Sequence, residues 1–288
     1  MCGVRVSHPE KRLWPSDGFT KLDLVRYYER MAPVLLRYAR NRPVTLRPFP
    51  RGVDQPGFYL KDAPKGAPGW LETFRDVPHS TGQAVRFVVL KDVRTLIWMA
   101  QFNAIEVHTW LSRVDRPDRP DWAVVDLDPA DETPWPRLAR AARAVHQRLE
   151  ALGLRAFGKL SGQSGIHVLV PLARVHTHDA VREFFERFAR RLCDEEPDLL
   201  TVDYQTAQRG GRILIDYAQN SYGKNTVAPY SVRARPGAPV SAPIDWSELE
   251  DPQLRPDRWS ISSMPARLEQ VGDLLEPALR LHQRLPRA

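Results

Sequence analysis

The sequence predicts an α/β fold in which a sheet is covered by helices. Three observations predict it: short β-branched runs, long segments with apolar residues at helical spacing, and, from residue 120 onward, the alternation strand, helix, strand, helix, strand. Prolines number 26 and mark loops throughout, but no Gly/Ser-rich linker or repeat separates the segments, so a single compact domain of 288 residues is expected.

The first helix is announced by Thr20-Lys21-Leu22-Asp23, a capping box with Asp in place of Glu, followed by Leu24, Tyr28, Met31, Leu35 and Ala39 on one face, with Pro33 as a potential kink. Thr133 is read as the N-cap of a second helix, with Pro134 at its first position. The buried stripe Leu138, Ala142, Val145, Leu149, Leu152 follows, and Gly153 stops it. A third helix is expected over about 179–193, burying Val181, Phe184, Phe185, Phe188 and Leu192. Strands are expected at 86–90, 122–128, 166–172 and 212–217.

Composition narrows the function. Apolar residues make up 42% and charged residues 27%, which excludes a disordered chain. No apolar run reaches membrane-spanning length, and Met1-Cys2-Gly3-Val4-Arg5 has no apolar run behind it, so no signal peptide is expected. Two distant cysteines, Cys2 and Cys193, form no metal-binding pattern, so a reducing cytoplasm is the expected compartment. Lys and Arg outnumber Asp and Glu by 42 to 35, a net charge of +7 that suits a polyanionic partner as well as plain solubility.

The segment Trp122-Ala123-Val124-Val125-Asp126-Leu127-Asp128-Pro129 carries the most chemistry. On a strand, Asp126 and Asp128 project to one face while Val125 and Leu127 face the core. Adjacent carboxylates repel unless a cation lies between them, and Mg²⁺ or Mn²⁺ suits oxygen donors. The apolar run Ile213-Leu214-Ile215 ends in Asp216. If it pairs beside the first strand, three carboxylates converge, enough to hold two divalent ions for phosphoryl or nucleotidyl transfer. An Asp-x-Asp before proline also fits an ordinary turn.

Between these strands, Ser161-Gly162-Gln163-Ser164-Gly165-Ile166-His167 fits either a phosphate-cradling loop or a tight turn, with His167 as a core histidine or a nucleotide contact. Asn220, Lys224 and the Tyr230-Ser231-Val232-Arg233-Ala234-Arg235 run form a basic segment able to clamp phosphates or simply face solvent. Upstream, Phe58 and Tyr59 follow a Pro/Gly turn. On a strand one ring would face the core, and the other would be available to stack on a base. Lys11, Lys21 and Arg47 are candidate phosphate contacts.

In order, Glu10-Lys11-Arg12-Leu13-Trp14-Pro15, Gly52-Val53-Asp54-Gln55-Pro56, Ala104-Ile105-Glu106-Val107-His108, Asp126-Leu127-Asp128-Pro129, Ser161-Gly162 through His167, and Ala228-Pro229-Tyr230-Ser231-Val232-Arg233 resemble the polymerase domain of bacterial ATP-dependent DNA ligase D, a member of the archaeo-eukaryotic primase superfamily. The resemblance spans nearly the whole chain. It implies a primase-polymerase fold with an RRM-like catalytic sheet (about 121–235), an N-terminal α/β DNA-contacting lobe (about 1–120) and a Pro-rich C-terminal segment (about 236–288). It implies Asp126, Asp128 and Asp216 as catalytic ligands of two Mg²⁺ or Mn²⁺ ions. Ser161, Gln163, Ser164, His167, Lys224 and Arg233 would surround the nucleotide. Lys11 and Lys21 would hold a downstream 5′-phosphate, Phe58 and Tyr59 would stack on the template, and Arg47 would lie near the DNA. The family loop usually reads Ser-Gly-x-Lys-Gly-x-His; here Ser164 stands at the lysine position, removing one phosphate-binding charge that Lys159 or Gln163 would have to replace.

The implied activity is transfer of nucleotides, with ribonucleotides preferred, onto a DNA 3′-hydroxyl at gaps or broken ends. Ku and a DNA ligase are the implied partners and the bacterial cytoplasm and nucleoid the location, for a standalone enzyme or an excised domain. A two-metal nuclease using the same acids and a DNA end-binding module without chemistry are the rival readings.

Overall fold

The computed structural model describes residues 2–77, 82–130 and 133–286. Along the chain run β1 (Arg12–Trp14), β2 (Phe19–Thr20), α1 (Lys21–Ala39), β3 (Pro43–Thr45), β4 (Thr73–Asp76), β5 (Val85–Val89), α2 (Val93–Gln101), β6 (His108–Trp110) and β7 (Trp122–Asp128). Then follow α3 (Trp135–Ala151), β8 (Phe157–Leu160), β9 (Ile166–Pro171), α4 (His178–Glu195), β10 (Leu200–Thr201), α5 (Thr206–Arg209), β11 (Ile213–Asp216), β12 (Asn225–Val227), β13 (Pro243–Ile244) and α6 (Met264–Val271). The expected mixed α/β character is borne out. None of the described helices is long and apolar enough to cross a membrane.

The chain forms two compact units. The first comprises Met1–Asp115, Asn225–Ser241 and Trp259–Gly272, and the second Arg116–Lys224, Ala242–Arg258 and Asp273–Ala288. Residues beyond 236 are therefore divided between both units.

The first unit is built on a five-stranded sheet in the order β12-β6-β3-β5-β4. Helix α1 packs against α2. Its start is the capping box read from the sequence: Thr20 accepts from the Asp23 backbone, and Asp23 Oδ2 accepts from Thr20 N at 2.7 Å. Such a cap contributes roughly 0.5–2 kcal/mol. Pro33 lies inside the helix. Two buried tyrosines on α1 tie distant chain to it. Tyr27 Oη donates to Tyr230 O at 2.8 Å, and Tyr28 Oη donates to Ile105 O at 2.6 Å. Segments 104–107 and 230–234 are held in place through these bonds, with Ser231 Oγ accepting from Val107 N at 2.8 Å.

The second unit holds a six-stranded sheet in the order β10-β11-β7-β9-β8-β13, antiparallel except for the β10–β11 pair. Strand β7 occupies a central position, and α3 packs on β7 and β9. Trp122 through Val125 are buried on both faces of the sheet, and alternation begins only at the strand's end, where Leu127 is buried between the partly accessible Asp126 and Asp128. Asn220 fastens the other end of β7, accepting from Val124 N at 2.9 Å and donating to Val124 O at 2.8 Å.

Two expectations need correction. Helix α3 takes Pro134, not Thr133, as its N-cap, and no side-chain cap bond forms there. The Thr133 hydroxyl instead donates back to Ala130 O at 2.7 Å. Phe58 and Tyr59 do not lie on a strand that would send one ring inward: they are 49% and 60% exposed. Just before them Gly57 packs so tightly on Phe49 and Pro48 that a Cβ would approach the Phe49 ring to 2.7 Å.

Candidate active site

Strand register assembles the acids. Asp216 of β11 is the direct cross-strand partner of Asp126 of β7, and Asp128 pairs with Leu214. Cross-strand partners and alternate residues share a sheet face, so all three carboxylates project to the same side. The row continues outward: Asp126 is opposite His167 of β9, which is opposite Lys159 of β8. Four strands thus contribute Lys159, His167, Asp126 and Asp216 to one line.

The side chains follow that line. Lys159 is fully buried, and its Nζ lies 3.0 Å from His167 Nδ1. With Lys159 as an ammonium, which can only donate, Nδ1 accepts and a ring hydrogen sits on Nε2. That Nε2 lies 3.4 Å from Asp126 Oδ1. Asp216 accepts from the Tyr204 hydroxyl at 2.9 Å, from Ala218 N at 3.0 Å and from Gln219 Nε2 at 2.8 Å. Burial, followed by the Asp216 charge, raises the Tyr204 phenol well above its usual range, so it remains a donor. Asp128 Oδ2 accepts from Arg209 Nη1 at 3.1 Å.

The donor set fits a hard divalent cation: three carboxylates, all partly accessible, on one face. Among the described residues, no three His, Cys, Asp or Glu side chains close around a single point. Here Arg209, Tyr204 and Gln219 supply the positive charge and hydrogens that the carboxylates require, and an incoming cation competes with them.

The turn before β9 is closed by Ser161, whose Oγ accepts from Gln163 N at 3.1 Å and Gly165 N at 3.0 Å. Gly165 presses against β7, so that a Cβ would stand 2.2 Å from Leu127 O. The loop is therefore locked to the acid-bearing strand. Ser164 and Lys224 are exposed and Gln163 is half-buried.

In the first unit, Arg233 belongs to a buried ion cluster that sequence reasoning did not foresee. Its centre is Glu106, whose side chain is 1% exposed. Oε2 accepts from Arg47 Nη1 at 3.0 Å and His108 Nε2 at 2.6 Å, while Oε1 accepts from Arg233 Nε at 3.2 Å and Ala234 N at 3.0 Å. Burial pushes the Glu106 carboxyl up, but the His108 hydrogen bond and the charge of Arg233 outweigh it and hold it well below the usual carboxylate range. Burial lowers the His108 imidazole despite the pull of Glu106. The available signals were a lone acid within the run 104–110 and the place of Ala104–His108 among the stretches that carry the family resemblance. The Arg47 guanidinium also lies 5.0 Å from the Tyr59 ring centroid and 5.1 Å from that of Phe49.

Lys11, Lys21 and Phe58 come together in a pocket of about 500 Å³ that also includes His8 and Asn103. Lys21 Nζ donates to Ser7 O at 3.0 Å and Gln101 O at 3.2 Å, and Lys11 Nζ donates to Pro50 O. Burial, with the nearby Lys11 charge, lowers the Lys21 ammonium. These backbone carbonyls aim two cations into one cavity.

Residues 20–275 match the family model described as LigD, primase-polymerase domain. The multifunctional non-homologous end joining protein LigD of Pseudomonas aeruginosa is 38% identical over 273 residues, covering 94% of this chain and 32% of that protein. The LigD repair protein of Mycobacterium tuberculosis is 36% identical over 281 residues, covering 95% and 36%. The chain thus spans about a third of the length of these relatives. Among solved structures, the polymerase domain of Mycobacterium tuberculosis ligase D in complex with DNA superposes with a TM-score of 0.91 at 34% identity, covering 98% of this chain and 100% of that one.

Proposed function

Because the chain belongs to the LigD primase-polymerase domain family of non-homologous end joining proteins, we propose that it is a DNA-directed nucleotidyltransferase that extends a 3′-hydroxyl at gaps or broken ends. The observation that carries this reading is the β7–β11 register, which puts Asp126, Asp128 and Asp216 on one sheet face. We assign these three side chains to hold two Mg²⁺ or Mn²⁺ ions, which when bound would supply charge neutralisation at the attacking and leaving oxygens. The primer hydroxyl attacks the α-phosphorus of a nucleoside triphosphate, and pyrophosphate leaves.

The remaining residues bind and orient. His167, kept as the Nε2–H form by Lys159, and the Ser161–Gly165 turn lie beside the acids and serve the triphosphate or sugar. Gln163 and Ser164 belong to that turn, and Lys159 stands cross-strand from His167. Arg233 and Lys224 contribute cationic donors for phosphate oxygens. Lys11 and Lys21 receive the 5′-phosphate of the downstream strand in their shared pocket. Phe58 and Tyr59, both exposed, stack on template bases, and Arg47 steadies Tyr59 from beneath. The reading extends to ribonucleotides as preferred substrates and to Ku and a DNA ligase as partners at a bacterial chromosome break.

The test is incubation with 5′-phosphorylated gapped DNA, Mg²⁺ or Mn²⁺, and rNTPs or dNTPs, beside the Asp126→Ala/Asp128→Ala double variant. Template-directed extension lost in the variant is the expected result and reports the sugar preference. Shortening of the DNA would point to a nuclease, and binding without any change of length to a non-catalytic end-binding module; either would overturn the proposal.

A further inference from the structure

We propose that Glu106 is a positioning residue for nucleotide binding, holding Arg233 and His108 in one fixed arrangement; this rests on the reading of Arg233 as a triphosphate contact. The carboxylate is 1% exposed and each of its oxygens takes two donors. Two guanidinium groups, one imidazole and one backbone amide thus meet a single anion. Without that anion, Arg47 and Arg233 would lose the charge that brings them together, and they would separate into solvent or exchange rotamers.

The contacts specify orientation as well as charge. A carboxylate far below its usual titration range only accepts, so the 2.6 Å bond fixes the hydrogen of His108 on Nε2 and leaves Nδ1 as an acceptor. Arg233 is gripped through Nε, which sets the plane of its guanidinium, and Ala234 N on the same oxygen fixes the backbone that carries it. The same carboxylate holds Arg47 beneath the exposed Tyr59 ring, whose edge also meets His108 at 6.2 Å between centroids. One buried acid therefore serves both the proposed triphosphate cation and the proposed template platform.

Steady-state kinetics on gapped DNA, with ribonucleotide triphosphate as the varied substrate, test this in the full chain with Glu106→Gln, Glu106→Asp and Arg233→Gln. Glu106→Gln is expected to raise KM for the nucleotide at least tenfold, with a smaller fall in kcat. Glu106→Asp, which keeps the charge on a shorter arm, is expected to recover most of that loss. Thermal melting accompanies each variant; if the glutamine variant does not fold, the aspartate variant carries the comparison with an expected threefold or larger rise in KM. In the unsubstituted protein, ¹⁵N shifts should show His108 protonated at Nε2 and bare at Nδ1. A raised KM in Arg233→Gln beside unchanged KM in both folded Glu106 variants would overturn the proposal alone, as would an Nδ1–H tautomer. An unchanged KM in Arg233→Gln would remove the underlying reading and the proposal with it.

Discussion

Asp126 and Asp216 stand directly opposite each other on adjacent antiparallel strands, so their proximity is a property of the hydrogen-bond ladder and not of a loop. Asp216 accepts hydrogen bonds from the Tyr204 hydroxyl and the Gln219 amide, both of them uncharged, so neither neutralises it.

A divalent ion should therefore stabilise the fold through this pair. Mn²⁺ at about a hundred times its dissociation constant is expected to add about 2.7 kcal/mol. The gain should appear as a rise in Tm and be lost in Asp126→Asn, along with at least a hundredfold of nucleotidyl transfer. A Tm that responds equally in the variant would show that the ion binds elsewhere.

Gly165→Ala should damage the site without touching an acid. Its Cβ would approach Leu127 O to 2.2 Å, so either the 161–165 turn or β7 must move. A loss of about 1–3 kcal/mol is expected, as for other overpacked positions, measured by urea unfolding. The Mn²⁺-dependent gain in Tm should shrink as well, because β7 carries Asp126 and Asp128.

Lys11→Ala should erase a preference for phosphorylated ends. Its expected signature is a weaker Kd for gapped DNA bearing a 5′-phosphate and little change for the same DNA lacking it. For the phosphorylated DNA, the dependence of log Kd on log salt should become shallower by about 0.9. Fluorescence anisotropy across a KCl series reads both. Equal weakening on the two DNAs would remove Lys11 from the 5′-phosphate pocket.

Stability should fall on mild acidification. Burial lowers His108, His146 and His178, so each binds its proton at lower pH in the folded chain than in the unfolded one. The unfolded chain then takes up more protons as pH drops through about 6.5, the ordinary histidine value. Their stabilisation is complete above that pH and is lost below it. Urea midpoints at pH 7.5 and 5.5 check the sign: the lower pH should give the lower midpoint. Glu106 acts in the same sense further down, since its depressed carboxyl contributes above the usual carboxylate range and is lost as pH falls below it.

The acids were legible because an apolar strand precedes each: β7 begins and ends where its pattern predicts, and β11 is the Ile213-Leu214-Ile215 run. The family was legible in the ordered motifs, and the comparisons bear it out. Strand β8 was not. It is four residues long and contains Gly158 and Lys159, which carry no alternation, so the Lys159–His167 contact stayed hidden. Helix α2 also went unread, although Asp92 caps it by accepting from Thr95 N at 3.0 Å; it is only nine residues long, and its apolar stretch Leu96–Ala100 has the length of a buried strand as well. The Glu106 cluster joins residues up to 187 positions apart (Arg47 to Ala234), a closeness that no local pattern encodes.

The row Lys159, His167, Asp126, Asp216 has a consequence for how this protein can change over generations. Each residue holds its place by counting along a strand, and neighbouring residues face opposite ways. A substitution in the row alters one group, but inserting or deleting a single residue within β7 or β9 inverts every side chain beyond it and dissolves the row at once. Length variation among descendants should therefore collect in the connections between strands, while the strands themselves drift only by replacement.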